Sequence, residues 1–127
     1  MIILGHPLIP FNSLNKVTKI EDIKKTSPNS TVLFDFVNKE VLKYCKEQNI
    51  PFAIYVKNIK ESCIANAVNA KFIIMDYELS KEVQPIATEY LFDTKILLLI
   101  EHEDQIESAA KNFIDGVIFT EAININY

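Results

Sequence analysis

Hydrophobic and polar positions along the chain fall into alternating blocks. Short apolar runs at Met1–Leu4, Thr31–Phe36, Phe52–Val56, Phe72–Met75, Ile96–Ile100 and Val117–Phe119 predict strands. In Ile96-Leu97-Leu98-Leu99-Ile100 every residue is apolar, so both faces of that strand need cover. This pattern belongs to an interior strand of a parallel sheet rather than to an antiparallel meander.

Between the runs, apolar residues recur at helical spacing. Ile106, Ala109, Ala110 and Phe113 form one stripe; Ile59, Cys63, Ala67 and Val68 form another. Val41, Leu42 and Cys45 make a third, and Ile86, Ala87, Tyr90 and Leu91 a fourth. Asn58 with Glu61, Asp104 with Glu107, and Thr18 with Glu21 have capping-box spacing. The Thr18 helix is expected to stop before Pro28, and Pro85 to shorten or kink its helix.

Strand, helix and strand joined by short links is βαβ grammar, with right-handed crossovers and parallel strands. The expected fold class is α/β. Repeated βα units form a mainly parallel five- or six-stranded sheet, either open and doubly wound or half-barrel-like. The segments 54–72 and 100–118 align without gaps and share Glu-Ser at Glu61-Ser62 and Glu107-Ser108, a weak internal repeat.

The stretch Ile54-Tyr55-Val56-Lys57-Asn58-Ile59-Lys60-Glu61, with Ala67 and then Ala70-Lys71-Phe72-Ile73-Ile74-Met75-Asp76, resembles one βαβ unit of (β/α)-barrel enzymes. The resemblance covers about a fifth of the chain. It implies a local fold, a capped helix packing its alanines on the sheet before a strand that ends in Asp. It implies no activity, because the glycine loops of phosphate-binding barrels are missing. At 127 residues the chain is shorter than the roughly 200 residues of a complete barrel.

That length corresponds to a single domain, residues 1–127, with 49% apolar and 24% charged residues, ordinary globular values. Net charge is −4, the lysines are scattered and there is no arginine, which argues against nucleic acid as a partner. Cys45 and Cys63 lie among apolar neighbours in helical patterns and read as small buried hydrophobes. No run approaches a membrane span and the N-terminus lacks a basic leader, so a cytoplasmic, membrane-free setting is expected.

Ligands of open parallel sheets bind beyond the carboxyl ends of the strands. The strands deliver there Gly5 and His6, Asp35, Lys57, Asp76, Glu101 and His102, and Thr120 and Glu121, of which His6, Asp35, Asp76, Glu101 and His102 are the candidate site residues. Both histidines of the chain are in this set. Asp35 is the foremost candidate, because it interrupts Val32-Leu33-Phe34 and Phe36-Val37 and must reach an edge or find a partner. Two glycines, Gly5 and Gly116, cannot build a dinucleotide fingerprint or a phosphate loop. No clustered ligand spacing appears, so no cofactor and no metal are expected. The segment Tyr90-Leu91-Phe92-Asp93-Thr94-Lys95 reads as a helix stop and strand entry, or as an apolar contact surface.

Two functions follow. The first is a small interaction or regulatory domain without catalytic activity, working as a homodimer. The second is a small-molecule enzyme or ligand-binding protein that uses the acidic and histidine residues at the strand ends. The dimer expectation rests on the C-terminus, where Ile123, Ile125 and Tyr127 alternate with Asn124 and Asn126 as in a strand with one apolar face. Such a strand closes the chain's own sheet or lies across a second subunit.

Overall fold

The computed structural model describes residues 1–125, so Asn126 and Tyr127 of the alternating tail lie outside the described residues. The strands are β1 (Ile2–Leu4), β2 (Leu14–Lys16), β3 (Thr31–Asp35), β4 (Phe52–Tyr55), β5 (Phe72–Met75), β6 (Lys95–Ile100), β7 (Gly116–Phe119) and β8 (Ile123–Asn124). The helices are α1 (Ile20–Ile23), α2 (Lys39–Gln48), α3 (Ile59–Ala67), α4 (Tyr77–Glu89) and α5 (Gln105–Lys111). Every ladder is parallel, in the order β1-β7-β6-β5-β4-β3-β2-β8. The fold class is the expected one, with β6 in the interior between β5 and β7. The strand count is eight rather than five or six, because β2 and β8 were not counted. β2, at three residues, is too short to show a period and exists through its ladders, while β8 is the start of the alternating tail.

The link between β7 and β8 dictates the shape of the sheet. In the strand order these two lie six steps apart, about 29 Å in a flat sheet. Only a 3-10 turn, Thr120–Ala122, joins them, and it reaches at most about 14 Å. The sheet therefore curls, half-barrel fashion, until its edges meet. A Cβ on Gly5 would stand 3.2 Å from the Cβ of Ala122 and 2.8 Å from that of Phe119. Gly5 turns there with a φ of +109°, a conformation L side chains rarely adopt.

Curling separates two cores. Leu14, Leu33, Ala53, Ile74, Leu97, Ile118 and Ala122 form the inner one, which holds no residue from α1 to α5. The alternate strand residues, among them Phe34, Ile54, Met75, Leu98 and Val117, pack outward against the helices. Helices on one face only distinguish this half-barrel form from a doubly wound sheet.

Four helices end alike. Asn49, Asn69, Leu91 and Phe113 adopt the left-handed conformation just past α2, α3, α4 and α5. In each case the next amide bonds back into the helix: Ile50 to Cys45 (3.0 Å), Ala70 to Ala65 (3.1 Å), Phe92 to Ala87 (2.8 Å) and Ile114 to Ala109 (3.0 Å). This is the Schellman closure, which satisfies carbonyls left over at the helix end and turns the chain toward the sheet. The four acceptor residues are all buried.

The left-handed caps correct the expected helix faces. Phe113 and Leu91 fall on the predicted stripes but lie beyond the ends of α5 and α4, and both are more than four-fifths exposed, as Tyr90 largely is. Helix α3 packs through Ser62 and Ala65, whereas Cys63 and Ala67 face solvent. Its sequence is apolar on several sides, so periodicity could not select the face. Cys45 is buried as expected and Cys63 is exposed. Helix α4 continues through Pro85, which sits on its exposed side. Asn58 and Glu61 cap α3 as predicted, with Asn58 Oδ1 accepting from the Glu61 amide at 2.8 Å. Asp22 rather than Glu21 receives the Thr18 amide, at 3.0 Å. At α5 the loop amides of Glu101 and His102 donate to Gln105 Oε1, and Asp104 makes no side-chain cap.

Candidate functional site

Successive strand residues alternate between the two faces, so each inner column continues past the inner core to a residue at the carboxyl end. Leu14 leads to Lys16, Leu33 to Asp35, Ala53 to Tyr55, Ile74 to Asp76, and Ile118 to Thr120. Leu97 and Leu99 lead to Glu101, while Ile2 and Leu4 lead to His6. An apolar layer thus carries a polar ring. Sequence reasoning named four of these ring residues, His6, Asp35, Asp76 and Glu101.

The structure divides the ring, Asp76 apart, between two concavities. The central one is a hollow of about 310 Å³. Leu33, Leu99 and Ile123 supply its apolar wall, and Lys16, Asp35, Tyr55 and Thr120 its polar groups. Asp35 and Tyr55 are direct partners in the β3–β4 ladder and present their side chains side by side. Burial, followed by the charges of Asp76 and then Asp35, pushes the Tyr55 phenol above its ordinary pKa, so it remains protonated. Lys16 has a partner of its own. Asp76 is exposed and caps α4, accepting from the Leu79 amide at 2.9 Å, which gives this residue a structural duty.

The second concavity is an open cleft of about 680 Å³ where the end of β1 faces the β6–α5 loop, lined by His6, Glu101, His102, Glu103 and Glu121 among others. His6 Nδ1 accepts from the Leu8 amide at 3.1 Å. The ring proton therefore sits on Nε2, which donates to Glu103 Oε2 at 2.9 Å. With both nitrogens engaged, His6 latches the first loop to the β6–α5 loop. Its ring also packs edge-on against Phe119, with centroids 6.0 Å apart. Glu101 and His102 are exposed at the same cleft. Asp35 is thus gathered with Tyr55 and, through Tyr55, with Asp76; both histidines belong to the other cleft. Among the described residues no three His, Cys, Asp or Glu side chains are placed to hold a metal ion.

Lys16 and Tyr55 were missed by the sequence reading, which placed Thr120 at this edge but did not take it as a site residue. Tyr55 carried a usable signal. Ending β4 one residue earlier makes Tyr55, rather than Lys57, the residue that the inner column delivers to the mouth. No model of a known protein family matches the chain, and no curated protein matches it.

Proposed function

We propose that this chain binds a small organic molecule at the carboxyl-end mouth of its curled sheet. One observation carries the proposal: the inner columns end in a hollow with an apolar wall and a few convergent polar groups, led by Asp35 and Tyr55. Ligand pockets have this composition, and parallel α/β sheets take ligands at this end. The setting proposed is cytoplasmic, and the two unpaired cysteines support it. A fragment screen read by amide chemical shifts tests the proposal. Hits are expected to move the amides of Asp35, Tyr55 and Thr120, and Asp35→Asn to weaken them about tenfold, the scale of one hydrogen bond to a charged group. Hits that cluster away from the mouth, or that ignore Asp35→Asn, refute it.

A second reading is an interaction or regulatory domain that pairs with another copy of itself. The exposed Tyr90, Leu91 and Phe113 at the ends of α4 and α5 favour it. The C-terminal strand no longer supports it, because β8 pairs with β2 of the same chain and Asn124 Nδ2 donates to Asn15 Oδ1 at 3.0 Å. Light scattering at tens of micromolar decides: a monomer rejects this reading.

A further inference from the structure

We infer that the ligand of the mouth carries an ammonium group on a hydrocarbon body, with the ammonium set against the Asp35 carboxylate and the Tyr55 phenol oxygen and the hydrocarbon lying on Leu33, Leu99 and Ile123. This deepens the binding proposed above and rests on it.

The register supplies the first argument. Asp35 and Tyr55 are opposed in a parallel ladder and share the inner face, so one carboxylate and one phenol are offered together to whatever fills the hollow. Neither side chain has a hydrogen-bond partner among the described residues, although their polar neighbours along the same edge do. Asp76 is occupied by the Leu79 amide and His6 by Leu8 and Glu103. Charge supplies the second argument. Burial first, then the negative charges of Asp76 and Asp35, hold the proton on the Tyr55 phenol. The phenol keeps its proton and stays neutral, and its oxygen lone pairs are open to a donor. An ammonium brings three donors and no acceptor, which matches a carboxylate beside a neutral oxygen.

The opposite choice, an anionic ligand, fits poorly. Among the described residues Lys16 is the one cationic side chain on the hollow and already has a partner, and the chain contains no arginine. A carboxylate or phosphate group in the hollow would lie against Asp35. A neutral ligand would cover Asp35 without balancing its charge, and a buried unpaired carboxylate is costly. The apolar wall requires a hydrocarbon portion, and a volume of about 310 Å³ is at the small end of ligand pockets, which points to a compact molecule.

The test uses three probes with the same six-carbon chain, hexylamine, 1-hexanol and hexanoate, titrated into the full chain at neutral pH and followed by amide shifts at the mouth. Hexylamine is expected to bind about tenfold or more tighter than 1-hexanol, with hexanoate weakest. Asp35→Asn is expected to bring the amine down to the level of the alcohol, and Tyr55→Phe to weaken the amine by a smaller factor. Both variants should keep the wild-type unfolding temperature, since neither side chain hydrogen-bonds to another of the described residues. Equal or tighter binding of 1-hexanol or hexanoate at the mouth, or an amine preference that survives Asp35→Asn, overturns the inference and leaves the binding site standing. If none of the three shifts the mouth amides, this inference falls; the fragment screen then judges the binding site on its own.

Discussion

Replacing Phe113 by glycine should stabilise the protein, although it deletes the largest part of an aromatic side chain. Phe113 has a φ of +57° at the Schellman turn after α5. The left-handed region costs an L residue roughly 1–2 kcal/mol, and glycine avoids that cost. The opposing loss is small. The residue is 85% exposed. A phenylalanine buries some 150–250 Å² when fully covered, so only about 30 Å² is at stake, near 0.7 kcal/mol at about 25 cal/mol per Å². The balance favours glycine by about 0.5–1 kcal/mol, or roughly 2–5 °C in unfolding temperature for a chain of this size.

A paired variant separates strain from burial. Phe113→Ala loses the same contacts and keeps the strained φ, so it should be less stable than wild type and about 1 kcal/mol or more below Phe113→Gly. At Ala110, inside α5, the glycine variant should instead be the weaker by roughly 1 kcal/mol. Urea and thermal unfolding of these variants at low protein concentration give the order directly. If Phe113→Ala equals or exceeds Phe113→Gly in stability, the strain argument is wrong. A loss of stability in Phe113→Gly that grows with protein concentration would mean that this side chain is covered in a dimer.

Other perturbations test the packing. Asp115 accepts from the Ile96 amide at 2.9 Å and from Gln84 Nε2 at 3.2 Å, and its amide donates to Gln84 Oε1 at 2.8 Å. Asp115→Ala takes the side-chain acceptor from the Ile96 amide and one of two acceptors from Gln84 Nε2, which keeps Thr88 Oγ1, and should cost about 1–3 kcal/mol in urea unfolding. Gly116→Ala puts a Cβ 2.5 Å from the Ile2 carbonyl oxygen and 2.7 Å from Ile2 Cβ. Strand β1 must then move from β7, which hydrogen exchange at Ile3 and Leu4 would report as lost protection, with a cost of about 1–3 kcal/mol. Burial pushes the Cys45 thiol up to about 11 from the ordinary value of 9.0. A thiol reagent at pH 8 should therefore label Cys63 and spare Cys45. Because the folded value is the higher one, this contribution to stability is complete below pH 9 and declines as pH rises from 9 to 11. Cys45→Ala should remove that part of the alkaline decline.

Some of this protein is written locally. Apolar runs located six strands within a residue or so, and the unbroken run in β6 indicated a parallel interior strand, because a strand covered on both faces has no polar side to show. Asp35 stood out for the same reason, a carboxylate among large apolar residues having to end its strand at an edge. The period-two tail was also read as a strand, and Ile123–Asn124 is one.

Where that strand goes is not a local property. β8 bonds to β2 across more than a hundred residues, and β2 itself, Leu-Asn-Lys, has no period to recognise. Helix faces were misjudged where periodicity met other physics. The stripes ending at Phe113 and at Leu91 were broken by left-handed caps, and α3 was apolar on too many sides to declare its inner one. The site divided for a similar reason. Sequence places His6, Asp35, Asp76, Glu101 and His102 at one end of the sheet, since parallel strands share a direction. Only the curl of the sheet sets which of them meet. The three-residue turn between β7 and β8 imposes that curl, bringing Asp35 and Tyr55 together with Lys16 and Thr120 and leaving the histidines in a cleft of their own.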